Sequence, residues 1–334
     1  MLLTPRRAAR HRTLAATIAG VAAAALAVLA PSAPLAAQAI DIAPIPVLLS
    51  SQQRSAKVTL TNRSQVPVEV RARLRYGYTT SDSLGDSQLF FPDAVAPTDP
   101  DASRMVHMYP PRIRLEPGQE KAVMFVADSV PSDLPTGEYW AQLSIESQEG
   151  VRAIDSSHAP SDVKTTLKFR IATTFPLIYR HGAVTTALQV DSVRTGVVAP
   201  TMPKEPAMTG TRSDSLAMLL YRRAVTAFQT APDTLAVQAS LDHSGNAAYR
   251  GFVRLALRDA NGRDVAGSGR ILAVYGPRAV RWPVALPAGL PAGTYRLSMT
   301  VTTTRPDIQD RRVAVPAPPV ERTLDVTIPA TRPK

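Results

Sequence analysis

Hydrophobic and polar residues alternate with a period of two along much of the chain. Such segments are 58–61, 68–74, 123–126, 140–145, 167–171, 252–257 and 295–301. Successive side chains of a β-strand point to opposite faces, so this alternation predicts strands with one buried and one solvated face. Turn residues separate the segments, and helical periodicity is scarce. The predicted fold class is therefore all-β, with two immunoglobulin-like β-sandwich domains.

Two patterns of the first half recur, in the same order, in the second half. Residues 60–74 parallel residues 241–255, and the run from Leu134 to Tyr139 parallels the run from Leu290 to Tyr295. A tyrosine that opens a strand just after a turn is typical of immunoglobulin-like sandwiches, where its hydroxyl bonds back to the chain. Convergent turn chemistry is the alternative explanation. Two repeats in one order favour a duplicated architecture.

These patterns divide the chain into four parts. Residues 1–39 are predicted to be a signal peptide, 40–181 the first sandwich, 182–214 a linker with one strand, and 215–334 the second sandwich. Residues 195–214 contain Pro200, Pro203 and Pro206 without periodicity, as a linker or exposed loop does. The segment from Tyr78 to Arg104 is a long polar loop, and a loop of that length is either functional or disordered.

The N-terminal segment has the features of an export signal. Four arginines precede the apolar run from Leu14 to Leu29, and Ala37 and Ala39 form a small-x-small cleavage pattern. A membrane anchor is the alternative, but the run is shorter than the roughly 20 residues that span a bilayer. We therefore expect export to the periplasm, with cleavage after about Ala39.

Composition narrows the function classes. The chain has no cysteine, which excludes disulfides and thiolate metal sites. The formal charge is +11, and without the four arginines of residues 1–39 the remaining 34 basic and 27 acidic residues give +7. The basic residues are scattered at alternate strand positions, which indicates a solvated surface rather than a nucleic-acid site.

No constellation for covalent chemistry is present in the sequence. His107, His158, His181 and His243 are isolated, without the i,i+4 spacing of a metal site on a helix. No nucleophile elbow, phosphate-binding glycine loop or dinucleotide fingerprint occurs. We expect neither enzymatic activity nor a cofactor or metal.

The segment 163–171 is the strongest candidate for a binding strand. Leu167, Phe169 and Ile171 share one face of the predicted strand, and Lys168 and Arg170 lie on the other. An ordinary half-buried strand is one interpretation. The other is an edge strand that pairs with another chain by β-strand addition, with the basic residues suppressing indiscriminate pairing.

Several motifs of the first domain resemble one family, the PapD-like periplasmic pilus chaperones. They are the proline pair after Tyr109, the Leu-Glu-Pro-Gly turn that ends at Gly118, and the Leu-Ile-Tyr-Arg run that ends at Arg180. The resemblance covers about residues 40–180. Because an aromatic residue precedes a proline pair in a turn, the Tyr109–Pro110 bond is predicted to be cis.

The resemblance implies a function and specific residues. Leu167, Phe169 and Ile171 align with the residues that these chaperones donate to an incomplete pilin fold. Glu138 and Arg180 align with members of the family's interdomain salt-bridge network. The implied partners are protein subunits of a pilus or surface assembly and an outer-membrane usher.

The chain departs from the family at two basic positions that hold the subunit's terminal carboxylate. Pro46 and Pro176 align with them, to within a residue, and proline offers neither charge nor N–H. Arg180, Lys168 or Arg54 would be substitutes. Two hypotheses follow: a periplasmic chaperone-like protein that caps subunits by strand addition, or an exported immunoglobulin-like adaptor that binds a folded cell-envelope partner.

Overall fold

The structure is a computed structural model that describes residues 40–129, 133–149, 170–206, 212–308 and 310–331. The predicted signal peptide lies outside these residues, and so do Leu167, Lys168 and Phe169. Two β-sandwiches follow one another along the chain within a single compact unit. In the part of the chain that the structure describes, every helix is too short or too polar to span a bilayer. The predicted all-β, two-sandwich fold is confirmed.

The first sandwich contains a four-stranded and a five-stranded sheet. Its strands, with the small hairpin β5–β6, are β1 (Ile40–Ala43), β2 (Val47–Ser50), β3 (Ser55–Asn62), β4 (Val68–Arg75), β5 (Tyr78–Ser81), β6 (Ser87–Phe90), β7 (Val106–Tyr109), β8 (Arg112–Leu115), β9 (Glu120–Ala127), β10 (Gly137–Glu149) and β11 (Arg170–His181). The sheet orders are β1-β3-β9-β7 and β2-β11-β10-β4-β8. Alternate residues such as Leu60 in β3 and Leu143 in β10 are fully buried, as the period of two predicts.

The N-terminal strand of this sandwich changes sheets at a proline-rich corner. β1 pairs antiparallel with β3, and β2 pairs parallel with β11 in the other sheet. Pro44 and Pro46 lie between β1 and β2, where neither strand needs a ladder donor. A second proline corner joins β7 to β8, and there the Tyr109–Pro110 peptide bond is cis, as predicted.

The second sandwich has a three-stranded and a four-stranded sheet. Its elements are β12 (Thr186–Val198), the helix α1 (Arg212–Thr230), β13 (Thr234–Gly245), β14 (Tyr249–Arg258), β15 (Asp264–Val274), β16 (Arg278–Ala285), β17 (Gly293–Thr302) and β18 (Val320–Ile328). The orders are β12-β13-β16 and β15-β14-β17-β18. Leu235, Leu255, Trp282 and Met299 are among the side chains that fill the core between these sheets.

The segment expected to be a linker differs from the expectation in two ways. Its one strand, β12, pairs with β13 from Thr186 to Val198 and so extends the second sandwich. The helix α1 begins at Arg212 and occupies residues that we expected to be linker and sandwich. The sequence did not reveal it, because exposed Leu219 and Leu220 interrupt the polar face that a surface helix normally shows.

The repeated turn pattern produces the same hydrogen bond in both sandwiches. The Tyr139 hydroxyl donates to the Pro135 carbonyl oxygen at 2.8 Å, and the Tyr295 hydroxyl donates to the Pro291 carbonyl oxygen at 2.8 Å. Each tyrosine thus fastens the start of its strand to the preceding turn. The tyrosine corner predicted from the sequence is present in both copies.

Candidate functional site

The predicted binding strand enters the described structure at its C-terminal end. Ile171 lies in β11 opposite Ser147 of β10 and is half-buried. Leu167 and Phe169 lie outside the described residues. The described part of the candidate binding site is therefore β11, and its neighbouring strands and side-chain burial define the geometry of the site.

The two halves of β11 differ in the number of strands that flank them. β10 pairs with β11 along its length, from Arg170 to His181. On the other side, β2 pairs only with residues 177–180. We call residues 177–180 the covered half and residues 170–176 the open half. Among the strands that the structure describes, the open half has a hydrogen-bonded neighbour on one side only.

Two prolines mark the boundary between these halves. The parallel ladder starts at the pair Val47 and Leu177, so Pro46 and Pro176 are the residues immediately before it on the two strands. Proline has no N–H to donate to a ladder. The pairing of β2 with β11 therefore begins just after Pro46 and Pro176. These are the two positions where the family resemblance predicts basic anchors.

The open half has a core-facing and an outward-facing side. Phe175 is buried opposite Leu143, and Thr173 and Ile171 follow on the same side at half-buried positions. Ala172 on the alternate side is exposed. An edge with free backbone groups and alternating side chains is the geometry that β-strand addition uses.

A buried ion cluster joins the end of β11 to the second sandwich. The Glu138 side chain is fully buried, and its Oε2 accepts a hydrogen bond from Arg180 Nε at 2.9 Å. Its Oε1 accepts from Nη1 of Arg250, a buried residue of β14 in the second sandwich. Arg180 Nη2 also donates to the Val313 carbonyl oxygen at 2.8 Å. One carboxylate thus compensates two guanidinium groups at the junction of the two sandwiches.

The electrostatics of the cluster favour the charged form of Arg250. Burial by itself lowers the pKa of this guanidinium, because desolvation penalises charge. The negative charge of Glu138, the nearby Tyr275 and the hydrogen bonds that Arg250 donates to both side chains outweigh that penalty and raise the pKa above its ordinary value. The sequence analysis did not single out Arg250, because the repeat of residues 241–255 gives it no partner and Glu138 lies 112 residues away.

The β5–β6 hairpin makes a second contact between the sandwiches. Arg278 of β16 donates to the hydroxyl oxygens of Ser81 at 3.0 Å and Ser87 at 2.8 Å. Arg281 forms an ion pair with Asp86 at 2.7 Å. Its backbone N–H also donates to the Gly85 carbonyl oxygen at 2.8 Å. Part of the long loop expected between residues 78 and 104 is therefore an ordered contact with the second sandwich.

An aromatic cluster lies in the same junction. Trp140 of β10 and Tyr275, which follows β15, have ring centroids 4.9 Å apart, and Tyr76 stacks on Trp140 at a centroid distance of 6.5 Å. Tyr78 contacts Tyr275 at 6.2 Å. Aromatic pairs at these separations add to the stability of burial. Together with the ion cluster and the hairpin, they connect the two sandwiches at three places.

A cavity of about 730 Å³ lies beside the proline corner. It is lined by residues of β1, β2 and β3 and, from the second sandwich, by Asp307, Ile308, Asp310, Arg312 and Val313. Lys57 in its lining is exposed and has no ion pair with a described residue. Of the expected substitute anchors, Arg180 is held by Glu138, and Arg54 Nη2 donates to the Ala127 carbonyl oxygen at 2.8 Å.

The chain is similar to solved structures of pilus chaperones. The CupB2 chaperone of Pseudomonas aeruginosa matches at 13% identity over 86% of this chain and 100% of its own, with a TM-score of 0.35. The complex of the SafA pilin with the SafB chaperone from Salmonella enterica matches at 14% identity over 85% of this chain and 96% of the matched chain, with a TM-score of 0.35.

A third match is the CsuC–CsuE chaperone–tip adhesion subunit complex of Acinetobacter baumannii, at 12% identity over 73% of this chain and 90% of the matched chain, with a TM-score of 0.34. No family model and no curated protein matches the chain. The matched structures belong to the class that the sequence resembles. At these TM-scores the functional conclusion depends on the residues of this protein.

Proposed function

We propose that this chain is a periplasmic chaperone-like protein that binds subunits of a pilus or surface structure by β-strand addition. The open half of β11 is the observation that carries this proposal. It offers backbone groups that, among the described strands, no neighbour uses, and its side chains alternate between a core-facing and an exposed side. A subunit that lacks a strand would pair with this edge and gain a complete ladder.

The proposed site continues toward the N-terminal end of β11. If the two-residue period persists, Leu167 and Phe169 share the side of Ile171 and enter pockets of the client. The subunit is then held by main-chain hydrogen bonds and by alternate apolar side chains. Export through the predicted signal peptide places this activity in the periplasm, where an outer-membrane usher receives the subunit. The activity is binding, with no covalent step.

The proposed site must avoid unspecific pairing, because an open strand edge can pair with any exposed strand. Lys168 and Arg170 alternate with the three apolar residues, and charges next to an edge strand oppose aggregation. The same charges are tolerated by a client whose facing strand is polar or acidic on that side. The expected client therefore has an apolar groove with a neutral or acidic rim.

Co-purification of the full chain with a candidate subunit tests the proposal. We expect the double variant Leu167→Asp, Phe169→Asp to lower subunit recovery at least about tenfold, because a charged group must then enter an apolar pocket. The matched control is Lys168→Ser with Arg170→Ser, which changes the alternate face. A cooperative thermal transition in all variants shows that the fold persists. Unchanged recovery with the aspartate pair contradicts the strand-addition mechanism.

A second candidate function is an exported immunoglobulin-like adaptor that binds a folded cell-envelope partner. The two prolines favour it, because they occupy the positions where the resemblance implies basic anchors for a subunit's terminal carboxylate. Charge-assisted bonds of that kind contribute strongly to affinity. A refolding assay distinguishes the two functions: a chaperone prevents aggregation of an incomplete subunit, whereas an adaptor binds only the folded partner.

A further inference from the structure

The helix α1 is an addition at one end of the second sandwich. β12 and β13 pair with each other as far as Val198 and Thr234, so the chain leaves the sheet after Val198 and returns to it at Thr234. The 19-residue helix lies between these two points. Between Ala217 and Thr230 none of its side chains is fully buried. The helix therefore contributes little to the core of the sandwich.

The described part of α1 is apolar on two opposite sides. Met218, Tyr221 and Val225 recur at helical spacing and are half-buried. On the opposite side, Leu219 is 63% exposed and Leu220 is 57% exposed. Val198 and Met202, where the chain leaves β12, are also more than half exposed, at 52% and 58%. A surface helix in contact with one partner normally has a polar outer face, whereas the outer face of α1 carries two exposed leucines.

The charges on α1 indicate the chemistry of the missing partner. Arg222 and Arg223 are exposed and form no ion pair with a described residue, and residues 217–230 contain no Asp or Glu. At 100° per residue, Arg223 lies between the two leucines around the helix circumference. A second copy that met this face with its own residues 217–230 would place arginine against arginine, and these residues contain no acid to compensate them. The partner surface must therefore be both apolar and anionic.

We propose that the outer face of α1 docks on an anionic lipid surface. Leu219 and Leu220 would enter the boundary between headgroups and acyl chains, and Arg222 and Arg223 would bind lipid phosphates. Interleaved leucine and arginine is the composition of helices that lie in a membrane interface, where long basic side chains extend to the headgroups. Docking at α1 would hold the protein at a membrane surface, independently of whether β11 binds a client.

Flotation of the full chain, without residues 1–39, with lipid vesicles tests this proposal. We expect binding to phosphatidylcholine vesicles that contain phosphatidylglycerol, and much weaker binding to phosphatidylcholine alone. Leu219→Ser with Leu220→Ser should lower the bound fraction at least about tenfold. Arg222→Gln with Arg223→Gln should weaken binding about fivefold for each arginine and reduce its salt dependence.

Two matched controls separate this face from general surface properties. Leu84→Ser removes a leucine of similar exposure, 58%, from the β5–β6 hairpin. Arg194→Gln with Arg270→Gln removes the same charge from exposed strand positions of the second sandwich. Both should bind vesicles like the parent chain.

Absence of lipid binding would overturn the proposal. Equal binding to both kinds of vesicle, unchanged binding after the leucine substitutions, or loss of binding in either control would overturn it too. Self-association that depends on Leu219 and Leu220, without lipid binding, would assign the face to a second copy, and capture by an acidic protein without lipid binding would assign it to a protein partner. Analytical ultracentrifugation and far-UV circular dichroism of each variant detect association and loss of helix.

Discussion

The covered and open halves of β11 belong to one strand but have different surroundings. In the covered half, Leu177, Ile178 and Tyr179 are fully buried, and β2 supplies the second hydrogen-bonded neighbour. Among residues 171–176 of the open half only Phe175 is buried, and β10 is the one described neighbour. The contrast shows that two prolines at a strand boundary can divide one strand into two parts. One part is paired on both sides, and the other has an edge that can pair with another chain.

The largest effect is expected from a substitution in the ion cluster at the end of the covered half. Glu138→Ala leaves Arg180 and Arg250 without their shared carboxylate, and uncompensated buried charge costs about 3–5 kcal/mol. We expect a loss of this size in the free energy of unfolding, measured with denaturant. Glu146→Ala, in the same strand, is the control.

The control removes a weaker pair. Glu146 lies 3.7 Å from Arg73, whose side chain is exposed, and such pairs contribute about 0–1 kcal/mol. Equal losses in the two variants would show that the buried cluster does not stabilise the covered half more than a surface pair does.

Hydrogen exchange compares the two halves directly. We expect edge-facing amides of the open half to exchange at least about tenfold faster than those of the covered half, because only the latter are bonded to β2. Amides that face β10 should be protected in both halves and provide the internal reference. The measurement is native-state exchange followed by NMR or by mass spectrometry of short peptides. Similar protection of both sets of edge-facing amides would indicate that another part of the chain covers the open half.

The two tyrosine corners show how much a local turn contributes to the free energy of unfolding, one of them next to the covered half of β11. Tyr139, opposite Tyr179 of β11, and Tyr295 of the second sandwich make the same bond. Each Tyr→Phe substitution removes one hydrogen bond, which typically contributes about 0.5–1.5 kcal/mol. Since the bond of Tyr139 is exposed and that of Tyr295 partly buried, Tyr295→Phe should have the larger effect on unfolding free energy. The reverse order would mean that pairing with Tyr179 adds to the role of Tyr139.

The smallest expected effect is a pH dependence at the junction. Burial lowers the pKa of His243 below its ordinary value of 6.5, Asp242 opposes this shift, and Arg250 adds to it. The folded protein therefore favours neutral imidazole, and the unfolded chain binds the proton more readily. This contribution to stability is complete above pH 6.5 and is lost as the pH falls through the lowered value.

Unfolding free energies at pH 7.5 and pH 5 should therefore differ less in His243→Gln than in the parent chain. His181→Gln is the control, because it removes a histidine from the end of β11 in the first sandwich. A change of slope only in the control variant would assign the pH dependence to His181 instead.

Much of the fold could be predicted because its causes are local. The period of two follows from the strand backbone itself, and the turn chemistry of Pro135 and Pro291 fixes both tyrosine corners. Alternation alone also predicts the candidate strand 167–171, of which Arg170 and Ile171 are described and lie in β11. Leu167 and Phe169 remain predictions, and the family resemblance, rather than periodicity, pointed to Glu138 and Arg180.

The sequence by itself determined the all-β class, the positions of several long strands and some of the turns between them. Only the tertiary structure decided which strands and side chains pair. The pairing of β2 with β11 covers only the residues after Pro176, and β12 joins the second sandwich. Glu138 pairs with Arg250, which lies 112 residues away. The physical reason is the distance along the chain over which each interaction acts. Backbone sterics and side-chain alternation act over a few residues, whereas sheet order and buried ion pairs depend on which distant surfaces exclude water together.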